Sequence, residues 1–130
     1  IREEHRAGLE TRDAVIAEAD VLSLHVPLTA ETRGLMDATQ LARMKPDAIL
    51  INTARGGVVN EAAVAAALRA GKLGGAALDV FDAEPLPAGS PLAGCPNLVL
   101  TPHVAGVTRE SNVRVSSLIA DAVAVALRTH

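Results

Sequence analysis

The stretch AILINTARGG, residues 48–57, decides the fold of this 130-residue chain. Its first five residues form a nearly continuous apolar run, which is typical of a strand that is covered on both faces of a parallel sheet. The polar residues that follow lead into a Gly56-Gly57 turn, where the strand must end. The stretch therefore predicts a buried strand followed by a loop that carries Arg55.

Strand-like and helix-like runs alternate on both sides of this stretch. Further strands are predicted at residues 21–26, which Pro27 stops, at 75–80 and at 98–101. Helices are predicted at 12–19, from 38 to before Pro46, at 61–70 and at 109–127, with one helical turn after Thr29. The expected N-caps are Thr11, Asp37, Asn60 and Thr108. This alternation predicts an α/β fold with a parallel, doubly wound sheet.

The composition excludes several classes of protein and of site. The chain is 49% hydrophobic, and with one Phe and no Trp or Tyr its core must be aliphatic. Its net charge of −3 and lack of a long basic stretch argue against a nucleic-acid interface. The longest apolar run, residues 62–68, is too short to span a bilayer. No metal site is predicted, because the acidic residues lack metal-ligand spacing. A lone Cys95 forms no internal disulfide, which favours a reducing, cytoplasmic location.

The first residues suggest that the chain is a fragment. It begins at Ile1, not Met, and residues 1–8 have the pattern of the polar end of a helix closed by Gly8. We therefore expect further chain upstream of Ile1.

Three residues that can carry chemistry follow predicted strands, and the carboxyl ends of parallel strands are where such sheets bind ligands. Arg55 can grip a carboxylate through two parallel hydrogen bonds. His103 can gain or lose a proton near neutrality, and a carboxylate such as Glu84 beside it would favour the imidazolium and fix its tautomer. The alternative interpretations are structural: an exposed turn Arg, a His at a strand end, and a turn residue before Pro85.

Two further polar residues at strand ends have open roles. Asp79 follows a predicted strand and could accept a hydrogen bond from an amide-bearing ligand, or could instead bond the loop that follows it. His25 follows an apolar strand, and for it we favour a structural role over a ligand contact.

Several motifs in the same order give the chain a family resemblance from about Gly8 to its end. They are residues 19–29 (ADVLSLHVPLT), 31–35 (ETRGL), 44–46 (MKP), 51–57 (INTARGG), 74–85 (GGAALDVFDAEP) and 101–106 (TPHVAG). With these motifs the chain resembles the D-isomer-specific 2-hydroxyacid dehydrogenases, the family of phosphoglycerate, glyoxylate/hydroxypyruvate and D-lactate dehydrogenases. Residues 104–111 are reminiscent of the sulfolactate and malate-like branch, but no substrate is assigned from them.

The resemblance implies a function and a role for each matching residue. The fragment would belong to an oxidoreductase that moves a hydride between NAD, with NADP not excluded, and C2 of a 2-keto or 2-hydroxy acid. Arg55 would bind the substrate carboxylate, His103 would donate the proton, and Glu84 would keep His103 protonated. Asp79 would hold the nicotinamide carboxamide. The other residues expected to line the cofactor are Pro27, Thr53, Ala54, Ala105 and Gly106, with Arg55 and His103 also beside it.

The chain also departs from the family pattern. It contains no G-x-G-x-x-G phosphate loop, since Gly71-Lys72-Leu73-Gly74-Gly75 leads into a strand. Asn60 stands where the family usually has Asp, and both residues cap helices well. Residues 1–130 would then be the back half of a Rossmann-type NAD(P)-binding domain, with about four main strands and helices on both faces. The phosphate loop and most of the substrate domain would lie upstream.

Three readings of the whole protein follow from the resemblance. The first is a dehydrogenase that acts on a small 2-keto or 2-hydroxy acid, is a homodimer at full length, and has no membrane or nucleic-acid partner. The second is an NAD-binding, corepressor-like module without catalysis, and the third is an inactive truncated product. We expect the isolated chain to be inactive, and to be marginally stable or aggregation-prone because residues 22–24 would form an unprotected edge strand.

Overall fold

Four parallel strands form one sheet in a computed structural model that describes residue 8 and residues 10–128. The strands are β1 (Val21–Leu24), β2 (Ile49–Asn52), β3 (Gly75–Leu78) and β4 (Leu98–Leu100), in the order β1-β2-β3-β4. The helices are α1 (Arg12–Glu18), α2 (Ala38–Leu41), α3 (Glu61–Arg69) and α4 (Arg109–Arg128). This confirms the α/β fold class and its parallel sheet; β2 ends at Asn52 as predicted, and the other three strands end one or two residues earlier than predicted.

Side-chain caps begin the helices as the sequence predicts. Thr11 Oγ1 accepts a hydrogen bond from the backbone N–H of Ala14 at 3.2 Å, and Asn60 Oδ1 accepts one from Ala63 at 3.0 Å. The equivalent bonds at the other two helices are Asp37 Oδ1 with Thr39 and Gln40, and Thr108 Oγ1 with Ser111. The expected turn after Thr29 is closed by the Arg33 N–H, which donates to the Thr29 carbonyl at 3.0 Å.

The hydrophobic core lies on one face of the sheet. Strand register places Leu22, Leu50 and Ala76 in one row across the sheet, and all three are buried. Buried side chains of the first three helices complete the core cluster: Ile16 of α1, Leu41 of α2, and Val64, Ala65 and Leu68 of α3. The core is aliphatic apart from Phe81, which agrees with the composition.

The opposite face of the sheet is open among the described residues. Val21, Ile49 and Val99, which point away from the core, are 55%, 42% and 60% exposed. No residue of α4 is buried, so its apolar stripe is uncovered. The expected second layer of helices is therefore absent from the described part of the chain, because α1, α2 and α3 all contribute to the core face.

Strand β1 lies at the edge of the four-stranded sheet, as the sequence predicts. Two predicted features lie largely outside the described residues. Of the expected helix end at residues 1–8 only Gly8 is described, and of the short piece Gly8-Leu9-Glu10 only Gly8 and Glu10 are. Within residues 8 and 10–128, no helix has the length and apolar character that a membrane crossing requires.

The 130-residue chain should self-associate, because an exposed apolar sheet face and an unpaired edge both favour contact between chains. Ile49→Lys, on the open face, should weaken association without unfolding the chain. Leu50→Lys should unfold it, because Leu50 is 0% exposed and a lone buried ammonium is costly. Sedimentation velocity at several concentrations and thermal melts would measure both effects. A monomer with a sharp, reversible melt at high concentration would contradict the prediction.

Candidate active site

The loops that follow the strands meet at one edge of the sheet, because all four strands are parallel. The loop after β1 carries Pro27, and the loop after β2 carries residues 53–57. The loop after β3 carries residues 79–84, and the loop after β4 carries residues 101–106. Every predicted site residue therefore lies on the edge where open parallel sheets bind ligands.

The clearest pair at this edge is Glu84 with His103. Glu84 Oε2 lies 2.8 Å from His103 Nδ1, and Glu84 Oε1 accepts a hydrogen bond from the Phe81 N–H at 3.0 Å. The hydrogen bonds from His103 and then from Phe81 lower the pKa of Glu84, so its side chain is a carboxylate at neutral pH. This contact confirms that the two side chains pair. The contact uses Nδ1 of His103, whereas Nε2 makes no hydrogen bond within the described part of the chain.

His103 has an unusual backbone conformation that its neighbours maintain. Its φ is 56°, in the left-handed region, which costs a residue other than glycine roughly 1–3 kcal/mol. Its own N–H donates to the Thr101 carbonyl at 3.0 Å. Strain of this kind persists where surrounding contacts enforce it, and here it places an imidazole at the rim of the sheet.

The carboxylate of Asp79 provides those contacts. Asp79 is 3% exposed, and its carboxylate accepts a hydrogen bond from the Thr101 hydroxyl. It also accepts hydrogen bonds from the backbone N–H groups of Val104 and Ala105, both at 2.9 Å. Burial alone would raise the pKa of Asp79, but the hydrogen bonds from Thr101, Ala105 and Val104 outweigh it and lower the pKa. Asp79 thus bonds the loop that follows β4, and not the loop directly after Asp79 that was its structural alternative. Its contact with a nicotinamide carboxamide stays a prediction.

Arg55 lies on the neighbouring loop and is exposed. Its Nη1 donates to the Ala54 carbonyl at 2.6 Å, and no contact with Glu84 or His103 is recorded among the residues described. Asn52, 1% exposed, holds the loop backbone: its Nδ2 donates to the Arg55 carbonyl and its Oδ1 accepts from the Ala54 N–H, both at 3.1 Å. The structure therefore brings Glu84, His103 and Asp79 together, and places Arg55 beside them without joining it to them.

Gly56 connects the Arg55 loop to the Glu84 loop. A Cβ at this position would lie 1.8 Å from the Phe81 carbonyl oxygen, so only glycine allows the two backbones to approach this closely. Phe81 is also the residue whose N–H bonds Glu84. Arg55 and Glu84 are thus attached to two segments of backbone that touch.

A cavity of about 450 Å³ opens beside the pair. Its lining includes Phe81, Glu84, Leu86, Leu100, Thr101 and His103. The lining is mostly apolar with a carboxylate and an imidazole, which is the composition expected of a small-molecule site. Arg55 is not part of this lining.

The remaining positions predicted to line the cofactor are small and accessible. Pro27, Thr53, Ala105 and Gly106 are exposed, and Ala54 is half-buried. A Cβ at Gly106 would meet nothing within 4 Å, so the rim there is open. The contact of these residues with the nicotinamide end of a dinucleotide stays a prediction. No phosphate-binding glycine loop accompanies them in this sequence.

Other candidates from the sequence have structural contacts. His25 Nε2 lies 2.9 Å from Ser23 Oγ, and Cys95 Sγ lies 3.5 Å from the Pro91 carbonyl. No group of three or more metal-binding side chains occurs within residues 8 and 10–128.

Three residues that shape the site were not singled out from the sequence. They are Asn52, Thr101 and Glu61, the last of which accepts a hydrogen bond from the Asp82 N–H at 2.7 Å. An amide at the end of an apolar strand was a usable signal for Asn52. For Thr101 and Glu61 the partners are 22 and 21 residues away, so the local sequence gives no indication of them.

Replacing Asp79 by Asn should destabilise the protein by about 2 kcal/mol, because an amide NH₂ would face backbone N–H donors in a buried position. The lowered pKa of Asp79 means that its contribution is present at neutral pH and is lost as pH falls and the carboxylate takes up a proton. The difference in the free energy of unfolding between the wild type and Asp79→Asn should therefore become smaller at acid pH. Urea unfolding at several pH values measures this, with the exposed Asp121→Asn as the control. Equal stabilities at neutral pH would contradict the assignment.

Comparisons with known proteins identify the family. Residues 2–105 match the model described as "D-isomer specific 2-hydroxyacid dehydrogenase, NAD binding domain". The chain is 57% identical over 113 residues to the (S)-sulfolactate dehydrogenase of Chromohalobacter salexigens, covering 87% of this chain and 37% of that protein. The chain thus spans well under half the length of this curated relative.

Solved structures agree with this match. The D-isomer specific 2-hydroxyacid dehydrogenase of Xanthobacter autotrophicus Py2, in complex with NADPH and MES, aligns with a TM-score of 0.70 at 49% identity, covering 74% of this chain and 30% of that one. The NAD-dependent formate dehydrogenase of Staphylococcus aureus, in complex with NAD, aligns with a TM-score of 0.78 at 37% identity, covering 88% and 34%. The chain belongs to the D-isomer specific 2-hydroxyacid dehydrogenase family, and residues 2–105 correspond to its NAD-binding domain.

Proposed function

We propose that the protein is an NAD(P)-dependent dehydrogenase of 2-hydroxy acids, in which His103 is the proton donor and Arg55 binds the substrate carboxylate. The 2.8 Å contact between Glu84 and His103 is the observation that carries this proposal. It pairs an imidazole with an ionised carboxylate at the mouth of a cavity, and it lies on the edge of the sheet that binds ligands in this architecture.

The mechanism follows from the charge that develops during reduction. As a 2-keto acid becomes a 2-hydroxy acid, negative charge builds on the carbonyl oxygen, and a nearby cation and a positioned acid stabilise it. The Arg55 guanidinium would bind the carboxylate and polarise the keto oxygen. His103 would deliver its proton from Nε2, since Nδ1 is engaged by Glu84. The nicotinamide, when bound, supplies the hydride.

Glu84 and Asp79 would have different roles in this mechanism. Glu84, with its lowered pKa, remains a carboxylate and so favours the protonated ring and holds its orientation. Asp79 fixes the loop on which His103 sits, through Thr101, Val104 and Ala105. The residues expected beside the nicotinamide are Pro27, Thr53, Ala54, Ala105 and Gly106.

The proposal concerns the protein that the complete gene encodes. We infer that residues 1–130 are a partial NAD(P)-binding domain. The phosphate loop and most of the substrate domain would then lie upstream of these residues in the same polypeptide. The relatives include a sulfolactate dehydrogenase and several glyoxylate or hydroxypyruvate reductases, so small 2-keto and 2-hydroxy acids are the proposed substrates. A homodimer is the proposed assembly and the cytoplasm the proposed location.

Steady-state turnover with NADH or NADPH tests the function directly. The protein encoded by the complete gene should reduce glyoxylate or hydroxypyruvate, or oxidise sulfolactate. The reduction rate should fall at high pH, where His103 has lost the proton it donates. His103→Gln should lower kcat by about 10²- to 10⁴-fold, and Arg55→Gln should raise KM by about tenfold or more.

His25→Gln is the matched control for His103→Gln. His25 follows β1, at the opposite side of the sheet from β4, and its ring already contacts Ser23, so this variant should keep its activity. Binding of NAD without turnover of any 2-keto acid would favour the corepressor-like reading. A flat pH profile of reduction would remove His103 from the role of acid.

Contact between the Arg55 and Glu84 loops gives a second test. Gly56→Ala should lower kcat/KM by about 10²-fold, because a Cβ 1.8 Å from the Phe81 oxygen forces the two loops apart. Gly89→Ala is the matched control, since a Cβ there would meet nothing within 4 Å. Full activity in both variants would show that the spacing of these loops does not matter for the reaction.

A further inference from the structure

The loop that carries Glu84 is fastened from outside by a residue of α3. Glu61 Oε1 accepts a hydrogen bond from the Asp82 N–H at 2.7 Å, across 21 residues of sequence. Asp82 lies between Phe81, whose N–H bonds Glu84 Oε1, and Glu84 itself. One backbone N–H of this short loop therefore bonds Glu84, and the next bonds Glu61.

Glu61 is well placed to act as a fixed point. It is the first residue of α3, and the cap bond from the Ala63 N–H to Asn60 Oδ1 at 3.0 Å holds the start of that helix. The following turns of α3 are anchored in the core through Val64, Ala65 and Leu68. A side chain that leaves this position has a rigid base, so its acceptor oxygen can define where the loop lies.

The close backbone approach of Gly56 to the Phe81 carbonyl is a further external support of the Glu84 loop. That contact is repulsive at short range and limits how near the loop can come. The Glu61 hydrogen bond is attractive and limits how far it can move away. The two contacts act on adjacent residues, Phe81 and Asp82, two to three positions before Glu84.

We propose that Glu61 is a positioning residue for the Glu84–His103 pair, acting through the backbone of Asp82. Without its acceptor oxygen the Glu84 loop would gain freedom and Glu84 would hold His103 less firmly. The inference rests on the function proposed for that pair. A simpler role exists for any acid in the first turn of a helix, which is to interact with the helix dipole through its charge. The test must separate the acceptor from the charge.

Three substitutions of Glu61 make that separation. Glu61→Gln removes the charge and keeps an oxygen that can accept from the Asp82 N–H. Glu61→Asp keeps the charge and withdraws the oxygen by one methylene. Glu61→Ala removes both. Glu110→Ala is the matched control, because Glu110 is an acid in the first turn of α4 and is exposed.

The readout is the pH midpoint of the His103 ring resonances by NMR, measured on the protein that the complete gene encodes. The charged groups near this ring are Glu84, in direct contact, and Asp79, whose carboxylate interacts with it electrostatically. Loosening Glu84 weakens the stabilisation of the imidazolium by its carboxylate, so the midpoint should move to lower pH.

The proposal expects this displacement in Glu61→Ala and Glu61→Asp, and none in Glu61→Gln or Glu110→Ala. Equal displacement in Glu61→Ala and Glu61→Gln, with none in Glu61→Asp, would assign the effect to charge and overturn the proposal. An unchanged midpoint in Glu61→Ala and Glu61→Asp would also overturn it. Thermal melts identify any variant that fails to fold, and Glu61→Asp, which keeps the first-turn acid, then decides the matter.

This measurement does not depend on turnover. If the wild-type protein reduces no 2-keto acid, the proposed function fails while the NMR comparison still tests the role of Glu61. If the wild type is active, Glu61→Ala should lower kcat several-fold and leave KM for the keto acid nearly unchanged, since Arg55 lies on another loop.

Discussion

The buried carboxylate of Asp79 is the contact on which the geometry of the site depends. It collects the Thr101 hydroxyl and two backbone N–H groups, and it thereby fixes the loop in which His103 adopts a left-handed conformation. A neutral acceptor in the same place would receive weaker hydrogen bonds, because bonds to an ionised group are roughly twice as strong. The burial of a charge is tolerated here because the donors that surround it compensate for the lost water.

The three loops after β2, β3 and β4 form one connected unit. Asn52 shapes the first, Gly56 brings it against the second, and Asp79 joins the end of β3 to the third. The Glu84–His103 contact joins the second loop to the third. The contact of Gly56 and the bonds of Asn52 are made to backbone groups, whereas the Glu84–His103 and Asp79–Thr101 links join side chains.

Much of this arrangement was predictable from the sequence. Apolar runs ended by polar residues located the strands, capping residues located the helix starts, and parallel pairing then required that Arg55, Glu84 and His103 share an edge. The pairing of Glu84 with His103 was also proposed from their types and their places at strand ends. What the sequence lacked was distance. Asp79 was suited to a ligand or to the loop that follows it, and nothing in the local sequence indicates its observed partners Val104 and Ala105, which lie 25 and 26 residues away.

The second layer of helices was the main expectation that the described residues do not meet. A continuous apolar strand such as residues 49–51 indicates that both faces are to be covered, but not which segment covers each one. Here the core face is filled by α1, α2 and α3, while Val21, Ile49 and Val99 remain exposed on the other. The site depends little on that open face. Asp79, Glu84 and His103 are held by residues 79–105 and by the start of α3, all within the described chain. The geometry of the Glu84–His103 pair is thus set locally, and the open face bears on stability and assembly instead.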